Sequence, residues 1–239
     1  MLTLAVLAGG KGTRLRSIIS DVPKPMAPIN GKPFLHCILD YWFTILEPDQ
    51  VVLSTGYLKK VIRDYFGDTF ETRVPIIYSE EFTPLGTGGA LVKLSSYVQS
   101  GGLILINGDT IFAPSNKLDF LNHRVGSNLR ILSKRLPSAD RYSSLLTNDA
   151  GEILSIGKSE ADWQLINGGA YHFSSELVEK MRNFKKVIPL SLEDELLPHL
   201  IKDPTVEVLS VESSSPFLDI GIPSDFIKAQ TVLAKLKEV

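Results

Sequence analysis

Apolar positions along the chain change period, and that change predicts the elements. Short runs at Leu4 to Leu7, Val51 to Leu53, Ile76 to Tyr78 and Leu103 to Ile106 are each bounded by glycine, proline or polar residues. They read as strands buried on both faces. Between the first two runs, Leu35, Ile38, Leu39, Trp42, Ile45 and Leu46 recur at steps of three and four behind Pro33, which predicts an amphipathic helix. Leu58, Val61, Ile62, Tyr65 and Phe66 repeat that pattern and stop at Gly67. Strand and helix thus alternate, predicting an α/β protein of three layers, α/β/α, around a mixed, mostly parallel central sheet.

The second half is less regular. Leu129 to Leu132, Ser143 to Thr147, Ile153 to Ile156 and Gly169 to Phe173 read as shorter strands, some of them antiparallel. Ser191 is placed to cap a helix running from Glu193 to Lys202, kinked at Pro198. Ser224 is placed to cap another, with Phe226, Ala229, Leu233 and Leu236 facing inward. No Pro/Gly/Ser-rich linker divides the halves, so the expectation is a single domain, 1–239, the second half elaborating the first.

Composition narrows the function. Hydrophobic residues make up 44% of 239 and the formal net charge is −2, so the chain can bury a sizeable core and carries no global positive field for nucleic acid or an anionic membrane. Phosphate binding, if any, must be local. One cysteine, Cys37, rules out an internal disulfide or a multi-cysteine metal site and suits a reducing compartment, hence an expected cytoplasmic location. The N-terminus lacks the order of a secretory signal, and no apolar run has the length to span a bilayer. His36, His123, His172 and His199 are too scattered to form a histidine metal site.

Two segments carry chemistry. In LAGGKGTRLR, Gly9, Gly10 and Gly12 follow a predicted strand and precede Thr13, Arg14 and Arg16. Glycines there let backbone N–H groups approach a phosphate at the carboxyl end of a strand, where α/β folds bind ligands. A dinucleotide fingerprint fails because its third glycine falls at Leu15, and a Walker A loop fails for want of Gly-Lys-Ser/Thr. In PKPMAPINGKP, Lys24 stands between Pro23 and Pro25 on a segment expected to be stiff and extended, ending in a turn at Asn30-Gly31.

Taken together these segments resemble the N-terminal signature of the sugar-1-phosphate nucleotidyltransferases. The resemblance continues in the family's order through PLGTGGAL (84–91), LINGDT (105–110), LINGGAYHF (165–173), SLEDELLP (191–198) and FLDIGIPSDF (217–226), nearly the whole chain. Within the family, PKPMAPINGKPF, PLGTGGA, DRY (140–142) and LINGG are similar to the D-glycero-D-manno-heptose 1-phosphate guanylyltransferases.

The resemblance implies a Rossmann-like fold of the nucleotide-diphospho-sugar transferase type and transfer of a nucleoside monophosphate unit from an NTP to a sugar 1-phosphate, supplying GDP-sugars of the kind polysaccharide biosynthesis consumes. It implies that Leu7, Ala8, Gly9, Gly10, Gly12, Thr13, Gly86, Thr87, Gly88 and Asp109 bind the nucleotide, with Arg14, Lys24 and Asp109 catalytic. It assigns Gly108, Lys158, Asn167, Gly168, Glu193 and Asp219 to the sugar phosphate, and Asp109 and Asp219 to Mg2+. Lys158 follows Gly157, where the family commonly carries Glu. GTP with the heptose phosphate is the nearest pairing; a mannose-1-phosphate guanylyltransferase, a uridylyl- or thymidylyltransferase acting on a hexose phosphate, and a catalytically silent sugar-nucleotide binder stay open. The sequence shows no side chain diagnostic of the base, and leaves monomer and homo-oligomer both open.

Overall fold

The computed structural model describes residues 1–10, 21–99, 101–122, 127–137, 141–185 and 188–236. In chain order its strands and helices are β1 (Thr3–Leu7), β2 (Pro28–Ile29), β3 (Lys32–Pro33), α1 (Phe34–Phe43), β4 (Gln50–Thr55), α2 (Lys59–Phe66), β5 (Thr69–Phe70), β6 (Val74–Glu80), α3 (Gly86–Ser95), β7 (Leu103–Asn107), β8 (Thr110–Ile111), α4 (Lys117–Leu121), β9 (Ser127–Pro137), β10 (Ser144–Thr147), β11 (Ile153–Gly157), β12 (Trp163–Phe173), α5 (Ser175–Arg182), α6 (Leu197–Ile201), β13 (Glu207–Glu212), β14 (Leu218–Asp219) and α7 (Pro223–Leu236). A 3-10 turn, Lys24–Met26, and a π-helical turn, Leu192–Leu196, complete the list.

The main sheet runs β11-β10-β12-β7-β1-β4-β6-β5, with β9 on β12 and β13 on β9. Its centre, β7-β1-β4-β6, is parallel, whereas β12 joins β7 antiparallel. Alternation along the central strands builds the two flanking layers. Leu4, Val6, Ile104 and Ile106 enter one core with Phe34, Leu35, Ile38 and Trp42 of α1, Ile62 of α2 and Phe226 of α7. Ala5, Leu103 and Leu105 enter the other with Leu91 of α3, Leu177 of α5 and Leu197 of α6. The three-layer expectation therefore holds.

Connectivity positions the site. The chain leaves β1 outward through β4 to β6, then returns across β1 to β7, so the order reverses between β1 and β7. Loops at their carboxyl ends diverge there and open a crevice. Asn30 (φ 48°) and Gly31 (φ 82°) make the expected turn, between β2 and β3, and Gln230 of α7 ties it down by accepting from the Asn30 backbone N–H at 3.0 Å.

Several local expectations need correction. Lys24 opens a 3-10 turn rather than lying on the extended segment expected; Pro23 before it is extended, and buried Pro25 and Met26 anchor it. The helix expected at 193–202 is a π-helical turn followed by α6, with the changeover between Leu196 and Leu197, next to Pro198 in the first turn of α6, which lacks the N–H that a continuous ladder needs. Ser191 does cap it, accepting from the Asp194 N–H at 3.1 Å. Ser224 is not a cap, because α7 begins one residue earlier at Pro223, a residue suited to a first turn. Phe226, Ala229 and Leu233 are buried as expected. The helices α3 and α5 and strand β13 went unforeseen.

Candidate active site

A cleft of about 980 Å³ opens at the carboxyl ends of β1, β4, β6 and β7. Leu7, Gly9, Gly10, Lys24, Gly86, Thr87, Gly108, Asp109, Glu193 and Asp219 all line it, joined by Ser54, Glu81 and Phe82. Its floor is backbone. Gly108 donates its N–H to the Leu7 carbonyl at 3.0 Å, and a side chain at Gly108 would stand 2.6 Å from that same oxygen, so the two loops touch only because position 108 has no Cβ.

The acidic end is made by a two-strand pairing. Thr110 of β8 lies opposite Asp219 of β14, and the Ile220 N–H bonds the Asp109 carbonyl at 3.0 Å. Asp109 and Asp219, 110 positions apart, thus share one corner. Lys24 Nζ sits between them, 2.5 Å from Asp109 Oδ2 and 4.0 Å from Asp219 Oδ1. Burial raises the Asp219 carboxyl above its usual range, and the charge of Asp109 raises it further. Tyr142 donates to Asp219 at 3.2 Å, and Arg141 bridges Tyr142 to Asp225. Burial, then the Asp219 charge, push the Tyr142 phenol up to about 12, so it stays a donor.

This corner fits a divalent cation. Two hard oxygen donors already converge on one positive charge, and among the described residues no cluster of three or more His, Cys, Asp or Glu exists that could hold a metal unaided. A cation here would need phosphate oxygens and water to complete its shell, which is the habit of Mg2+.

The other wall is a hydrogen-bond chain between the two halves. Asn167 Nδ2 donates to Tyr171 Oη at 2.8 Å, Tyr171 donates to Glu193 Oε1 at 3.4 Å, Thr87 donates to Glu193 Oε2 at 3.0 Å, and the Leu192 N–H closes on Thr87 Oγ1 at 2.8 Å. Burial raises the Glu193 carboxyl and lifts the Tyr171 phenol well above its ordinary range.

Residues 4–235 match the nucleotidyl transferase family. The chain belongs to that family. It is 37% identical to a D-glycero-alpha-D-manno-heptose 1-phosphate guanylyltransferase of Aneurinibacillus thermoaerophilus, over 95% of this chain and 96% of the relative. It is 35% identical to a protein of the same name from Campylobacter jejuni, over 92% and 95%. The crystal structure of HddC from Yersinia pseudotuberculosis superposes with a TM-score of 0.82 at 31% identity, covering 98% of this chain and all of that one; the same protein complexed with GMP-PN gives 0.81.

In this nucleotidyl transferase some of the expected residues lie off the cleft. Ala8 is buried, its N–H on the Ser54 carbonyl. Gly88 turns toward the π-helical segment and gives its N–H to the Leu190 carbonyl at 2.9 Å. Gly168 packs against the Phe112 ring, leaving no room for a Cβ. Asn167 reaches the cleft only through Tyr171 and Glu193. Lys158 is exposed, just past β11, and is not a lining residue. Gly12, Thr13 and Arg14 fall outside the described residues.

Two functional candidates escaped the sequence reading. Tyr171 hides inside the apolar run of β12. Glu81 follows β6 and lines the cleft beside Gly9, whose missing Cβ would stand 3.0 Å from Glu81 Oε1; its oxygens accept from Ser54 Oγ at 2.8 Å and the Leu85 N–H at 3.1 Å. A carboxylate at the end of a parallel strand, just before PLGTGG, was the available signal.

Proposed function

We propose that this enzyme joins GTP and D-glycero-D-manno-heptose 1-phosphate into a GDP-heptose with release of pyrophosphate. The observation that carries the guanylyl assignment is Glu81, a fixed carboxylate in the nucleotide end of the cleft. An ionised carboxylate only accepts hydrogen bonds. Guanine offers it the adjacent N1–H and N2–H2 donors, whereas uracil and thymine offer one N–H flanked by carbonyl oxygens that a carboxylate repels. Full-length likeness to two heptose 1-phosphate guanylyltransferases supports the sugar.

The reaction is an in-line attack: a sugar phosphate oxygen bonds to the α-phosphorus of GTP while the bond from that phosphorus to the bridging oxygen breaks and pyrophosphate leaves with the electron pair. The attacking oxygen is already ionised, so the protein's task is to align two polyanions and offset charge. Leu7, Gly9 and Gly10 frame the nucleotide, Lys24 transfers its positive charge from Asp109 to phosphate, and Arg14 serves the same phosphates. Glu193, held by Thr87 and Tyr171, orients the sugar. Asp109 and Asp219 would hold Mg2+, which supplies charge neutralisation on the phosphates when bound. The one cysteine, Cys37, is buried and has no second cysteine to pair with in the chain, which supports the reading of a cytoplasmic enzyme; among the described residues no helix is long and apolar enough to cross a membrane.

The test is a base swap. Glu81→Gln replaces one acceptor by an amide donor and is expected to lower kcat/KM for GTP by about 10²-fold or more, with a much smaller change for UTP. Equal losses for both nucleotides would contradict the assignment of Glu81.

A further inference from the structure

Among the described residues, Phe82 is the most exposed large apolar side chain, at 85%, yet it lines the cleft. An aromatic ring left in water at the rim of a polar pocket is available for contact with a bound ligand. Its surroundings give the ring a fixed stance. Lys59 Nζ lies 4.7 Å from the ring centroid and is itself held by Glu80 at 2.7 Å, so one face of the ring is braced by an anchored cation. On the other side in sequence, Pro84 restricts Thr83 to extended conformations and stiffens the segment. Phe82 also follows Glu81 directly, so a carboxylate and an aromatic ring leave the end of β6 on consecutive residues, both toward the cleft.

We infer that Phe82 is the stacking platform for the nucleotide base, its ring covering one face of the base whose edge Glu81 reads. The inference rests on the guanylyltransferase reading for the identity of the base, but not for the stacking itself, because every base has a π-face. The site thereby separates two tasks. Glu81 sets which base binds, and Phe82 sets how tightly any base binds, with purines favoured by their larger face.

The experiment measures nucleotide binding calorimetrically, with Mg2+ and without sugar phosphate, for the wild-type chain, Phe82→Ala and Phe82→Tyr. The probes are GTP, ATP, UTP and CTP, and inorganic pyrophosphate as a ligand without a base. Phe82→Ala is expected to weaken the best-bound nucleotide by about 5- to 100-fold, to leave pyrophosphate affinity within twofold, and to be rescued by Phe82→Tyr. Phe82→Ala is expected to fold as the wild type does, because position 82 is exposed, and an unchanged melting temperature verifies it. If UTP rather than GTP binds best and loses affinity in Phe82→Ala, the stacking role stands and the guanine assignment falls. Unchanged nucleotide affinity in Phe82→Ala, or an equal loss of pyrophosphate affinity, overturns the stacking role. Failure of all four nucleotides to bind the wild type overturns both.

Discussion

At the scale of single residues, Glu80 and Glu81 show what decides a function. Both are acidic and adjacent, but Glu80 pairs outward with Lys59 and Arg63, and the Lys59 hydrogen bond holds its carboxyl below the usual range, while Glu81 faces Ser54 and the cleft. Sequence alone does not tell which of two neighbouring carboxylates faces a cleft, and for that reason Glu81, the residue proposed to read the base, was not legible. Asp109, Asp219 and Lys24 were legible, through the motifs that carry them, as residues of one site. Their proposed role gives a sharp expectation: Asp109→Ala should retain its circular dichroism and lose at least 10²-fold in kcat/KM, where each tenfold is about 1.4 kcal/mol; turnover within a few-fold of wild type at limiting Mg2+ would remove Asp109 from the chemistry. Tyr171→Phe strips the hydroxyl that joins Asn167 to Glu193. The KM for the sugar phosphate should rise by about 5- to 20-fold with the KM for GTP within twofold, a split that steady-state kinetics resolves. Glu193 adds a pH signature. Its carboxyl is raised in the folded state, so between the unfolded and folded pKa the native chain holds the extra proton, and stability is lost as pH rises through that window. Glu193→Gln should therefore melt higher than wild type at neutral pH, with the difference shrinking as both approach acid; a pH-independent difference would show that Glu193 does not titrate abnormally.

At the scale of elements, strand and helix periods were readable wherever apolar spacing was unbroken, as in β1, α1, β4, α2 and β7. The helix α3 was not, because its first turn is GTGG and glycine is a poor helix former. Tertiary contacts hold that turn instead: the Gly88 and Gly89 N–H groups both bond the Leu190 carbonyl, at 2.9 and 3.2 Å, and Leu190 returns its N–H to the Leu85 carbonyl. These two amides are thus spent on Leu190, just ahead of the π-helical segment that carries Glu193. Gly86 is the hinge of this arrangement, at φ +75° with the Leu190 carbonyl 2.3 Å from where a Cβ would stand. Gly86→Ala should cost about 1–3 kcal/mol or more from backbone strain, a fall of several degrees in Tm, and should also raise KM for the sugar phosphate as Glu193 shifts. A variant that melts with wild type would mean that the clash is relieved by local movement.

At the scale of the whole molecule, the strand order reverses between the parallel neighbours β1 and β7 and brings residues from both halves of the chain around one cleft: the glycine loop and Asp109 from the first, Glu193 and Asp219 from the second. A nucleotide and a sugar phosphate bound there would meet across the Asp109–Lys24–Asp219 corner, which is the geometry that joining two phosphates requires. Fold and family were legible because seven motifs stand in order along the chain, and the same likeness named GTP with the heptose phosphate as the nearest pairing; a side chain to read the base was not legible, because the place of Glu81 in the cleft emerges only in the fold. The central claim is therefore tested most directly by pyrophosphate release measured across GTP, UTP, dTTP, CTP and ATP against D-glycero-D-manno-heptose, mannose, glucose and N-acetylglucosamine 1-phosphates. The highest kcat/KM is expected for GTP with the heptose phosphate, with mannose 1-phosphate next because it lacks only one carbon. A maximum with UTP or dTTP, or with a hexose phosphate above the heptose, would contradict the proposed specificity, and no pyrophosphate from any pair would contradict the proposed reaction.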